Sequence, residues 1–257
     1  MKLIAKGLMA FVVLAFTGIA VAQDGIPMEL LKRTFAIQAG TKSGTAFSIE
    51  YKGMAYVVTA RHVVSELPAK NATVKLLKDE QWLDVPVVQT IFPESPDVDI
   101  AVLDLGIKAP YSFKYQVGKG AMFGQQLWFL GFPYGLRSNL RGPDGMTSRF
   151  PFIKRGTMSA VDGSNPDAPV MYIDGFNNPG FSGGPIIAWD HEKQTYTIIG
   201  VVMGYRPESA KVAVNGDFAD TGILVNSGIL IGYALDPAIK AIEKSLQNQP
   251  PTTAPKK

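Results

Sequence analysis

Eight residues in the last third of the chain, Asn178-Pro179-Gly180-Phe181-Ser182-Gly183-Gly184-Pro185, constrain the fold more than any other stretch. A serine set among glycines is what an acyl-transfer nucleophile requires. The backbone must turn sharply, present the hydroxyl and leave its own N–H groups free to bind an oxyanion. Average usage of Gly, Ser and Pro puts a chance Gly-x-Ser-Gly-Gly-Pro at on the order of one in a million per starting position, so composition alone does not produce it. Gly180-Phe181-Ser182-Gly183-Gly184 also satisfies a strand-to-helix nucleophile elbow, which needs an acid and then a histidine further on. Here the motif runs into Ile186-Ile187-Ala188-Trp189, which reads as a strand, and the one histidine beyond it is His191, in a polar turn. The elbow fails, and the partners of Ser182 must lie upstream.

Upstream there is one histidine. Ala55-Tyr56-Val57-Val58-Thr59-Ala60 reads as a buried strand, and Arg61-His62-Val63-Val64 follows it. Alone, His62 reads more readily as a satisfied, half-buried histidine at a strand end. Combined with Ser182, the general-base reading is favoured. Asp99 heads the apolar run Ile100-Ala101-Val102-Leu103, where its carboxylate can be partly buried and can orient an imidazole. Asp97, in the same polar loop, fits a solvated acid better.

The 257 residues, 46% of them apolar, suffice for one large or two small cores, and 26 glycines and 18 prolines among short β-branched and aromatic runs favour an all-β chain. Residues 1–22 stand apart. Lys2 and Lys6 precede an uncharged apolar run from Gly7 to Ala22 that ends in Ala20-Val21-Ala22, the pattern of a signal peptide removed before Gln23. The competing reading, an uncleaved anchor, needs a longer span, since a bilayer crossing takes about 20 apolar residues. Export places the protein in the periplasm or outside the cell, with no stable membrane insertion after cleavage. The chain has no cysteine, which excludes disulfides, thiolate chemistry and cysteine-based metal sites. Residues 1–22 hold two lysines and no acid, so their removal lowers the formal net charge from +3 to +1. So nearly neutral a chain gives no support for a nucleic-acid partner, and no metal or organic cofactor is implied. Nothing in the sequence fixes an oligomeric state.

Along the mature chain, residues 23–33 form a lead-in with about one helical turn. Strands are expected at 34–38 and 45–49 and, after a Lys52-Gly53 turn, at 55–60. A second hairpin spans 73–77 and 81–88. Residues 106–120 read as a crossing between two halves, with strands at 126–130, 153–160, 170–173, 186–189 and 196–202 beyond it. The stretch from Arg137 to Arg149 reads as a long solvated loop, its arginines 137, 141 and 149 a weaker candidate for a substrate-facing patch. Ser209 to Asp220 reads as a polar loop and Thr221 to Tyr233 as a strand. Asp236 is expected to N-cap a short helix over Ala238–Leu246, with Pro237 at its first position. Residues 247–257, rich in proline, are expected to be disordered. No internal repeat is visible.

The chain order His62, Asp99, Ser182 is that of the handed-down serine-peptidase triad. On Val58-Thr59-Ala60-Arg61-His62-Val63-Val64, Asp99-Ile100-Ala101-Val102-Leu103, Gly131-Phe132-Pro133-Tyr134-Gly135, the Ser182 motif and Gly232-Tyr233-Ala234-Leu235-Asp236-Pro237, the sequence resembles the trypsin-like (chymotrypsin-fold) serine peptidases, and within them the bacterial HtrA or Deg-type branch. The resemblance covers residues 34–246. It implies two antiparallel six-stranded β-barrels, at about 34–108 and 121–235, with the site in the cleft between them. Ser182 would attack a peptide carbonyl of a polypeptide substrate, His62 would move the proton, Asp99 would orient the imidazole, and the N–H groups of Gly180 and Ser182 would hold the oxyanion.

Three departures matter. No stretch after residue 246 has room for a PDZ domain, so PDZ-gated oligomeric proteolysis is not implied. Phe181 stands where pancreatic-type enzymes carry the aspartate that pairs with a new N-terminus, so control must come from loop ordering. Phe176, with Asn177 beside it, matches the base of the primary specificity pocket, and Met203 and Gly204 line it; an uncharged base argues against Lys or Arg at the cleavage site. The leading reading is an exported serine endopeptidase. The alternatives are a catalytically silent peptide-binding or chaperone-like module on the same fold, and an esterase using the same site.

Overall fold

The computed structural model describes residues 25–78, 81–109, 120–142, 145 and 147–248. The expected signal peptide, most of the 106–120 crossing and all but the start of the tail at 247–257 lie outside the described residues.

The first barrel is built from hairpins that the sequence marks by turn chemistry. β1 (Thr34–Ala39) turns through Gly40 into β2 (Lys42–Tyr51), and β2 turns into β3 (Met54–Thr59) through Lys52 and Gly53, whose φ angles are 49° and 76°. Positive φ at both central residues matches the right-handed twist of the flanking strands. β4 (Lys70–Lys78), β5 (Gln81–Ile91) and β6 (Ala101–Lys108) complete a closed, antiparallel barrel in the order β1-β2-β3-β6-β5-β4. Pro86 sits inside β5 without breaking the ladder, because β6 pairs with β5 only from Gln89 to Ile91 and no N–H is needed on that edge at Pro86.

The second barrel repeats this winding. β7 (Gln126–Gly131), β10 (Phe152–Asp162), β11 (Val170–Asp174), β12 (Pro185–Asp190), β13 (Thr195–Val214) and β14 (Asp217–Ala234) close in the order β7-β10-β11-β14-β13-β12, the same permutation of six strands in chain order. The repeat therefore exists in topology although no sequence period betrays it. Between β7 and β10, the stretch expected as a long loop forms a small hairpin, β8 (Ser138–Arg141) against β9 (Thr147–Phe150), anchored by the buried Phe150.

The expected polar loop at 209–220 is likewise strand. β13 and β14 run on past the barrel as a two-stranded ribbon, paired from Pro207–Asn226 to Val214–Asp217, and turn at Asn215-Gly216 with φ of 53° and 93°. Asn-Gly is the strongest short hairpin signal, and it outweighs the polarity of the flanking residues.

One apolar cluster joins both barrels to the two helices. It holds Leu30 and Leu31 from α1 (Met28–Lys32), Phe47, Tyr56, Val58 and Ile100 from the first barrel, Trp128, Leu130, Tyr196 and Val201 from the second, and Leu235, Ala238, Ala241 and Ile242 at the C-terminus. Trp128 and Trp189 both meet the Tyr196 ring edge to face, at 5.6 and 5.0 Å. α2 (Asp236–Gln247) contributes through its i, i+3, i+4 face, Ala238, Ala241 and Ile242. Asp236 lies in its first turn rather than capping it: Leu235 takes the cap position and no side chain bonds there.

Because Ile242 is fully buried in this shared cluster, Ile242→Ala is expected to lower unfolding stability by about 2–5 kcal/mol. A urea titration followed by tryptophan fluorescence reads the change, and a loss confined to fraying of α2 would contradict it.

Candidate active site

The Ser182 loop is shaped by close backbone approach. Phe181 N–H donates to the Asn178 carbonyl at 3.2 Å, with Pro179 and Gly180 (φ 103°) in between, the arrangement of a type II turn. A Cβ on Gly180 would stand 2.2 Å from the Phe132 carbonyl oxygen, and one on Gly184 would stand 2.0 Å from that of Leu130. No side chain fits either place. Phe181, by contrast, is fully buried and meets Phe129 edge to face at 5.4 Å, so it anchors in the second barrel the loop whose next residue is Ser182.

Thr45, on β2 of the first barrel, ties that loop across the interface. Its N–H donates to the Ser182 carbonyl at 2.8 Å and its hydroxyl to the Gly180 carbonyl at 2.6 Å, while the hydroxyl oxygen accepts from the Phe132 N–H at 3.1 Å. The Thr45 carbonyl in turn accepts from the Thr59 hydroxyl at 2.8 Å. Sequence reasoning missed Thr45; a buried threonine in a strand carries no signal until its partners are known.

The first barrel also supplies an imidazole and a carboxylate. His62 lies in a 3-10 turn, Arg61–Val63, directly after β3 and Ala60. Asp99 accepts twice from it: from the backbone N–H at 2.8 Å and from ring Nδ1 at 2.6 Å. A carboxylate accepts, so Nδ1 is the donating ring nitrogen of this pair. The Asp99 side chain is 19% exposed against 49% for His62, so the acid is shielded while the imidazole opens to the cleft. The loop that carries Asp99 is braced from the second barrel by the Tyr233 hydroxyl, which donates to the Asp97 carbonyl at 2.7 Å. Burial, followed by the charges of Asp99 and Asp97, raises the Tyr233 phenol above its ordinary range and keeps it a donor.

Ser182 faces the same crevice. A Cβ on Gly44 would lie 2.8 Å from both the Ser182 carbonyl oxygen and Val63 Cγ2, so one glycine separates the Ser182 loop from the neighbour of His62. A Cβ on Gly183 would lie 2.7 Å from the Ala60 nitrogen, two residues before the imidazole. The Ser182 hydroxyl donates to the Met203 carbonyl at 3.0 Å and makes no hydrogen bond to His62. The structure thus joins His62 to Asp99 directly and brings Ser182 beside them without closing the last hydrogen bond. The N–H groups of Gly180 and Ser182 find no acceptor among the described residues.

Of the residues expected at the specificity pocket, Asn177 is buried and Phe176 is 55% exposed. Asn177 Oδ1 lacks a partner although fully shielded, while its carbonyl accepts from Asn226. Beside Gly204 there is open space, and Met203 is half-buried. Lys154, also missed, sits against the loop: its ammonium donates to the Phe176 carbonyl at 2.7 Å and to Asn178 Oδ1. Alternation from the buried Met158 through Gly156 marks Lys154 as an inward position of β10, a signal present in the sequence.

Residues 44–196 match the trypsin-like peptidase domain family. The chain is similar to Protease Do-like 1, chloroplastic, of Arabidopsis thaliana, with 28% identity over 203 residues, 79% of this chain and 41% of that protein. It thus spans about two fifths of the length of that relative. Among solved structures it is similar to Rv3671c from M. tuberculosis H37Rv in an inactive form (18% identity, TM-score 0.52, 87% of this chain and 91% of that one). It is also similar to the serine endoprotease from Yersinia pestis (16%, 0.54, 87% and 69%) and to the HtrA-type protease AlgW with a tripeptide (18%, 0.53, 86% and 62%). At such identities these structures attest the two-barrel fold.

Replacing Thr45 by valine keeps the shape and strands the Phe132 N–H and the Gly180 carbonyl, which is expected to cost about 1–3 kcal/mol. Urea unfolding of Thr45→Val and Thr45→Ser checks it: serine should recover most of the loss, and equal behaviour of the two variants would assign the effect to packing.

Proposed function

Because the chain belongs to the trypsin-like peptidase family, we propose that it is an exported serine endopeptidase with Ser182 as nucleophile, His62 as general base and acid, and Asp99 as the group that orients the imidazole. Ser182 Oγ attacks a peptide carbonyl while His62 Nε2 takes its proton. The oxyanion forms at the Gly180 and Ser182 N–H groups. His62 then returns the proton to the leaving amine, and water, activated by the same imidazole, hydrolyses the acyl-enzyme. The observation that carries this reading is the pair of hydrogen bonds that Asp99 accepts from His62, one from the backbone and one from ring Nδ1, beside two N–H groups at the Ser182 loop with no acceptor among the described residues. Turning the Ser182 side chain from the Met203 carbonyl toward the imidazole, one staggered rotamer to another, is the arming step.

The polypeptide is bound in the cleft between the barrels, and its primary side chain enters beside Asn177, Met203 and Gly204. With Phe176 and Asn177 at its base, the pocket selects an uncharged side chain rather than Lys or Arg. The leader pattern at residues 1–22 supports action in the periplasm or outside the cell. The Ser182 hydroxyl on the Met203 carbonyl favours one second reading, a silent peptide-binding module.

A fluorophosphonate probe separates the two. Intact-mass spectrometry should find a single adduct on the full chain and none on Ser182→Ala, with labelling of His62→Ala slowed about ten-thousand-fold. Failure of the wild-type chain to label would leave the binding module as the reading. Cleavage-site profiling against Ser182→Ala then distinguishes a peptidase from an esterase.

A further inference from the structure

Lys154 occupies a place where a barrel strand ordinarily carries an apolar side chain. It pairs across the sheet with Phe129, a core residue of the second barrel, and shares its face of β10 with Gly156 and the buried Met158. Drawing an ammonium even partly out of water is unfavourable unless donors and charge find compensation. Burial accordingly lowers the pKa of Lys154. No carboxylate within the described residues makes an ion pair with it.

Its compensation comes instead from the nucleophile loop. The ammonium donates to the Phe176 carbonyl at 2.7 Å and to Asn178 Oδ1, and it lies 5.5 Å from the centre of the Phe176 ring and 5.4 Å from that of Phe181. Three of the six residues before Ser182 are therefore gripped by one side chain. They bracket the Asn178–Phe181 turn whose conformation sets where the Gly180 N–H points. Charge-assisted hydrogen bonds are roughly twice as strong as neutral ones, and the cation–π contacts add to them.

We propose that Lys154 is a positioning residue that holds the Ser182 loop in its oxyanion-ready form, filling with a lysine and two aromatic faces the ordering role for which Phe181 leaves no carboxylate. The inference rests on the peptidase reading for its effect on rate, while the ordering itself does not. Phe181 supplies a π face and a buried anchor, and Lys154 reaches it from within the same chain, so the loop needs no cleavage event to be set.

The test compares wild type with Lys154→Met, which keeps the stem and removes the donors, and Lys154→Arg, which keeps the charge and the hydrogen bonds. Amide exchange by mass spectrometry on the full chain should speed up about tenfold in peptides covering residues 174–184 of Lys154→Met and remain unchanged in β1 to β6. Fluorophosphonate labelling of Ser182 should slow about tenfold or more, appearing in kcat with little change in KM for a cleaved peptide, and Lys154→Arg should restore most of it. Unchanged exchange at 174–184, or acceleration spread equally over both barrels, would overturn the proposal. If wild type itself fails to label, the peptidase reading falls, and the exchange comparison still decides whether Lys154 orders the loop.

Discussion

A single threonine holds the two halves of the site in register. Thr45 belongs to the first barrel, yet its amide and hydroxyl are spent at the interface, on Ser182, Gly180 and Phe132, while its carbonyl accepts from Thr59 within its own barrel. The hydroxyl works in both directions, donating to the nucleophile loop and accepting from the end of β7. Buried polar groups that are fully satisfied act as alignment devices, because any relative shift of the elements leaves several of them unpaired at once. A purely apolar seam between the barrels would tolerate sliding of a few tenths of an ångström; this one resists it. The glycines at 44, 180, 183 and 184 serve the same end by removing the side chains that would keep the backbones apart.

Barrel closure explains why the crevice lies where it does. Each set of six strands closes on itself, so the barrels meet through side chains, loops and a strand amide, that of Thr45, which reaches the Ser182 carbonyl. The loops nearest the seam are the ones after β3, before β6 and before β12, and they bear His62, Asp99 and Ser182 respectively. The shared apolar cluster, extended by α2, fixes the angle between the barrels. Tyr233 adds a second tie, from β14 to the loop that leads to Asp99. Neither barrel by itself contains a complete constellation.

Much of this was legible in the chain. The glycines around Ser182, the apolar run behind Asp99 and the strand before His62 are local patterns, and local patterns survive translation into structure. Expectation and structure part where polar residues mask turn chemistry. Residues 209–220 look solvated, and they are, but Asn215-Gly216 dictates a hairpin whose two strands need no buried face. The arginine-bearing stretch from 137 to 149 hid its hairpin because Phe150, the one anchoring side chain, lies at its very end. Asp236 has the chemistry of a cap, yet Leu235 occupies that position and the acid falls within the first turn. Thr45 and Lys154 illustrate a different limit. The bonds from Thr45 to Phe132, Gly180 and Ser182 and from Lys154 to Phe176 and Asn178 all span more than 20 residues, and no short window along the sequence contains both ends of such a bond.

The division of the constellation between the halves has a further consequence. The carbonyl on which the Ser182 hydroxyl rests comes from β13, some twenty residues later in synthesis, and β14 must close the second barrel after that. Whatever reaction the crevice supports therefore begins only when the last strand has docked. A chain folded no further than its first half is chemically silent toward itself and its neighbours, and that latency is a property of topology.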